Sequence, residues 1–63
     1  MAEKLLLYYK HIREVQGFQG QIKLAQETKI PSTKAAMEPD SAENIRLFRE
    51  AIKKLTGKEA PNY

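Results

Sequence analysis

The stretch QIKLAQETKIPSTKAA, residues 21–36, decides how this chain is read. It reads as a short helix, a tight break at Lys29, Ile30 and Pro31, and a second short helix. The break is firm because a proline ring crowds the residue before it and drives Ile30 out of α geometry. The first of the two helices carries Ile22, Leu24 and Ala25, and Ala25 is small enough to let another backbone approach closely. Ile30 is placed to plug the corner. Ser32 has the short oxygen-bearing side chain that caps helix starts.

Working outward, residues 2–16 form the first predicted helix. Leu5, Tyr8, Ile12 and Val15 recur at spacings of three and four, which makes one apolar stripe, widened by Leu6 and Tyr9. Glu3, Lys10, Arg13 and Glu14 fall elsewhere on the wheel, with Lys10 and Glu14 spaced as an i, i+4 pair. Gly17 is expected to end the helix in the left-handed conformation, and Phe18 to fold back on its last turn. A short link at 18–20 leads into the second helix at about 19–28. The third helix is expected at 32–37, with Ser32 as cap and Ala35, Ala36 and Met37 as its buried side. Pro39 stops it, and residues 38–41 connect.

Residues 42–56 form the last predicted helix, whose stripe is the clearest: Ile45, Phe48, Ile52 and Leu55, with Leu47 and Ala51 beside it. Ser41 or Asp40 caps it and Gly57 ends it. Asp40 and Glu43 at its start, and Lys53, Lys54 and Lys58 at or beyond its end, complement the helix dipole. Residues 1–57 thus read as a single helical domain and 58–63 as a flexible C-terminal tail, Tyr63 included. The fold class is all-α: a small four-helix orthogonal bundle, with the stripes of the outer helices packed together over the central pair.

Composition narrows the function. A chain of 63 residues is one small domain that buries only about 60% of its unfolded surface. A deep substrate pocket is not expected, and no catalytic constellation is visible, so no enzyme is expected. There is no cysteine, which removes disulfides and thiolate zinc sites. His11 stands alone, and Glu38, Asp40 and Glu43 lack the glycine and ligand periodicity of a calcium loop. No metal and no cofactor are expected. Spanning a membrane takes about 20 apolar residues. The longest apolar-aromatic run is 5–9, with no cleavage pattern after it, so a soluble, cytoplasmic protein is expected. The net charge of +3 permits a nucleic acid or an acidic partner.

The order of parts resembles the Cro/phage-repressor type of helix-turn-helix domain over roughly residues 5–57. The matching residues are Gln21, Leu24 and Ala25 in the Gln-x-x-Leu-Ala helix, then Thr28 and Ile30, the polar loop 38–41, and the helix holding Ile45 and Leu55. Lys29 stands where the family usually has glycine in the turn, and Ala35 where it usually has a larger aliphatic residue. The resemblance implies a DNA-binding role in transcription regulation, with the third helix in the major groove. Ser32, Thr33, Lys34 and Met37 would face base edges, Gln21 would contact a phosphate, and Lys23 and Lys29 would add anchoring charge. It also implies double-stranded DNA as partner and a homodimer, because one such module buries too little surface to bind specifically alone. Lys29 would need φ > 0, at a cost of about 1 kcal/mol.

Charge gives a different emphasis. Residues 21–37 hold Lys23, Lys29 and Lys34 against Glu27, and residues 38–44 hold Glu38, Asp40 and Glu43 and no cation. The most basic stretch is 45–58, with Arg46, Arg49, Lys53, Lys54 and Lys58 against Glu50. Arg46, Arg49 and Lys53 fall on one side of the last helix and could grip phosphates or an acidic protein surface; a solvated face is the plainer reading. The alternative function is a small helical protein-interaction or structural domain without a nucleic-acid role, presenting Leu6, Leu7 and Tyr9 to a protein partner.

Overall fold

A computed structural model describes residues 3–62, without the side chain of Glu3. Ala2 and Tyr63, placed by sequence at the start of the first helix and in the tail, lie outside the described residues. The described residues are all helical and connecting segments, with no strand among them. Three helices follow one another: α1 (Glu3–Thr28), α2 (Ser32–Ala35) and α3 (Ala42–Thr56).

The expected two helices before the turn are joined in α1, and the break between them is a single residue. Gly17 has φ 75° and ψ −163°, a conformation essentially confined to glycine, and not the left-handed cap read from sequence. Residues 18–20 are helical instead of forming a link. The break divides α1 into arms, 3–16 and 18–28. Gly20 lets the arms sit close: a Cβ there would lie 2.6 Å from Gln16 Cβ and 3.1 Å from Ile12 Cγ1.

The core forms where the apolar sides of the first arm and α3 meet. Leu5, Tyr8, Tyr9 and Ile12 supply one side, Phe48, Ala51 and Ile52 the other, and Leu24 and Ala35 close it from the second arm and α2. Phe48 is the centre: its ring stacks on Tyr8 with centroids 6.1 Å apart and meets Tyr9 edge-on at 5.6 Å. Such aromatic pairs are worth about 0.5–1.5 kcal/mol beyond the area they bury. Ile45 and Leu55 are half-buried against this cluster. Val15, expected on the core stripe, is 55% exposed. It sits at the stripe's margin and shares a surface groove with His11, Thr56, Lys58 and Glu59. Phe18 does not fold back on the first arm; it is 66% exposed.

The caps of α3 follow the sequence. Ser41 is its N-cap and accepts from Asn44 N at 3.1 Å, while Gly57 closes it at φ 77° in the left-handed region. Asp40 does not cap α3; its carboxylate accepts from Lys4 N, 3.4 Å away, in the first turn of α1. That turn has free backbone N–H groups to offer.

α2 is shorter than the expected 32–37, and Ser32 is not its cap. Pro31 holds the N-cap position, and its carbonyl accepts from Lys34 N and Ala35 N at 2.8 and 2.9 Å. The hydroxyl of Ser32 faces Gln21 instead. After Ala35 the chain tightens: Met37 N donates to Lys34 O and Glu38 N to Ala35 O. These i→i+3 bonds end the helix just before Pro39, which disfavours α geometry at Glu38. Ala35 alone of the expected three is buried; Ala36 is exposed and Met37 is 83% exposed.

Residues 58–62 lie against α3. Ala60 is buried in the core cluster, and the Arg49 guanidinium donates to the carbonyls of Pro61 and Ala60 at 2.7 and 3.3 Å. No helix among the described residues is long and apolar enough to cross a membrane.

Candidate nucleic-acid interface

The turn between the second arm and α2 is held from three directions. Lys29 has φ 61°, the one non-glycine residue with positive φ among those described, and its N–H donates to Ala25 O at 2.8 Å. A lysine pays about 1 kcal/mol or more there, since its Cβ crowds the following carbonyl. Neighbouring side chains offset the strain. Buried Thr28 donates to Leu24 O at 2.8 Å and accepts from Ile30 N at 3.3 Å. From the first arm, the Tyr9 hydroxyl donates to Ile30 O. Burial pushes the Tyr9 hydroxyl above its usual pKa, and the neighbouring Thr28 partly offsets this. It therefore stays a donor through the neutral range.

A third support spans the kink. Arg13 Nε donates to Gln21 Oε1 at 2.9 Å, and Gln21 Nε2 donates to Ser32 Oγ at 3.1 Å. Arginine offers only donors, so the amide oxygen must face Arg13 and the amide nitrogen Ser32. Gln21, Ile22, Ala25, Gln26, Lys29, Pro31 and Ser32 line a groove between the second arm and α2.

The expected contact residues separate into groups. Gln21, Lys29 and Ser32 come together in that groove. Thr33, Lys34 and Met37 follow on the exposed side of α2 and its end. Lys23 is exposed but stands apart: at 100° per residue it lies about 130° round the helix from the groove's centre. The side chains of Gln21 and Ser32 are half-buried and bonded to each other.

The α3 face is differently disposed. Arg46, Arg49 and Lys53 do share one groove, with Ala42, Ile45, Glu50 and Glu59. Each is occupied within the chain: Arg46 Nε is 3.8 Å from Glu50, Lys53 Nζ is 3.1 Å from Glu59, and Arg49 holds the carbonyls of 60 and 61. Lys54 pairs with Glu27 at 3.2 Å, tying α3 to the second arm.

Arg13, Tyr9 and Thr28 shape this turn more than sequence spacing suggests. Tyr9 and Arg13 reach it only because the chain bends at Gly17, so no local pattern points to them. No group of His, Asp and Glu among the described residues is arranged to hold a metal ion. The chain matches no protein-family model, no curated protein and no solved structure.

Proposed function

We propose that this protein is a small helix-turn-helix DNA-binding regulator. The observation that carries the reading is the positive φ of Lys29. It falls between a helix bearing Gln21, Leu24 and Ala25 and a following turn of helix packed through Ala35, the place where this motif turns its chain. In this reading the two arms of α1 count separately, and four helical segments make an orthogonal bundle around a helix-turn-helix pair. Thr33, Lys34 and Met37 approach base edges and Lys29 meets a phosphate, while the Gln21 amide, engaged at both ends, braces the turn. With one turn in α2, backbone contacts carry most of the affinity and direct base readout is narrow. Two copies bound side by side, in the cytoplasm, supply the surface that specific binding needs.

A second reading has its own observation. Ile22 lines the groove and Phe18 lies one turn before it on the same helix arm, both exposed. Large apolar groups so placed suit a protein partner and not a phosphate backbone. An NMR titration with mixed-sequence duplex DNA at low salt separates the two. The DNA reading expects shifts confined to residues 21–37 that vanish as salt rises. Unmoved signals there at low salt would leave the helical protein-interaction domain.

A further inference from the structure

The chain's three arginines are in different situations. Arg46 faces Glu50 and Arg49 is spent on the carbonyls of Ala60 and Pro61. Arg13 pairs with no carboxylate among the described residues. It is nevertheless held, through Nε, by Gln21. A guanidinium held by Nε has its plane oriented, and here neither Nη atom has a hydrogen-bond partner among the described residues. That planar fork matches two oxygens of a phosphate.

Its position suits the same use. Gln21 and Ser32 line the groove beside α2 together with Lys29, and Thr33 and Lys34 follow directly on the exposed side. The relay from Arg13 through Gln21 to Ser32 joins both arms of α1 to α2, so the cation is placed relative to the turn and not to its own arm alone. We infer that Arg13 is a pre-oriented phosphate clamp at the edge of the turn, taking a phosphodiester of a nucleic-acid backbone. The inference rests on the DNA-binding reading. Arg13 positions the duplex without reading its sequence. Gln21 acts through Arg13 as a positioning residue, because its amide has no charge to offer a phosphate and its oxygen is turned to the guanidinium.

The test is binding of the full chain to mixed-sequence duplex DNA, measured by fluorescence anisotropy across a salt series. Arg13→Gln should weaken binding roughly tenfold at about 0.1 M salt, alike for every sequence, and lower the slope of log K on log salt by about 1. Arg13→Lys should keep the slope yet bind more weakly, since lysine cannot make the Nε bond to Gln21. The Nε–Hε resonance of Arg13 should move when DNA is added to the wild type. If wild type binds and Arg13→Gln binds with the same slope and affinity, the clamp is wrong and the DNA reading stands. If wild type does not bind, both fall. Should Arg13→Gln fail to fold, the wild-type resonance decides: displacement supports the clamp and an unmoved signal overturns it.

Discussion

The α2 surface and the outer face of α3 are both basic in sequence, and α3 is the more basic of the two. In the fold their order reverses. Arg46, Arg49 and Lys53 on α3 each meet Glu50, Glu59 or the carbonyls of residues 60 and 61. Lys29 and Lys34 beside the turn meet no carboxylate among the described residues, and Arg13 meets only an amide oxygen. A count of charges measures what a stretch could offer, whereas affinity for an external anion depends on what is left uncommitted. Carboxylates four to six residues away along the chain fold onto the α3 cations. Among the described residues no ion pair joins Lys29, Lys34 or Arg13 to Glu38, Asp40 or Glu43, and Asp40 turns to the start of α1.

The largest effect would test whether both faces hang from one scaffold. Phe48→Ala removes the ring that meets Tyr8 and Tyr9 and should cost about 3–5 kcal/mol, enough to unfold a domain of this size. Circular dichroism should lose helix along the whole chain; loss confined to α3 would mean two independent units. Gly17→Ala comes next. No side chain obstructs that site, but φ 75° with ψ −163° excludes alanine at a cost of about 1–3 kcal/mol. The melting temperature should fall and the Arg13–Gln21 contact should be lost, while the ion pairs of α3 persist.

Lys29→Gly works in the opposite direction. Relief of the positive φ should outweigh the entropy glycine gains in the unfolded chain and raise stability by up to about 1 kcal/mol. The same change removes a free cation, so on the proposed DNA-binding reading salt-dependent retention on DNA should weaken as the melting temperature rises. The smallest effect sharpens the contrast itself. If the proposed DNA binding holds, Lys34→Gln should reduce the salt slope of DNA retention by about 1, whereas Lys53→Gln should leave it nearly unchanged, because Lys53 is engaged by Glu59. Equal slopes for the two variants would dissolve the distinction between the faces.

Much of this was legible one residue at a time. Spacing alone located α3, its Gly57 cap, its buried Phe48 and Ile52 and an N-cap at Asp40 or Ser41, between which only the structure chose Ser41, since caps and stripes depend on neighbours within one or two turns. It also located the breaks at Gly17 and at Lys29 to Pro31, because glycine and proline restrict the backbone wherever they stand. The identity of a cap was less secure. Ser32 has the chemistry of an N-cap, yet Gln21 from another turn of chain took its hydroxyl, and Pro31 took the position.

The sequence by itself therefore determined the helical class, the bends and the apolar seam between the first arm and α3. Those follow from periodicity and backbone sterics. Only the tertiary structure decided that Val15 and Phe18 face outward, that Ala60 lies in the core and that Arg13 stands beside α2. Arg13 meets Gln21 because of where the bend at Gly17 sends the next eleven residues, and Ala60 is brought in by the Arg49 guanidinium; both are set by packing far along the chain. Which cations stay free was settled in the same way, through contacts that local spacing does not encode.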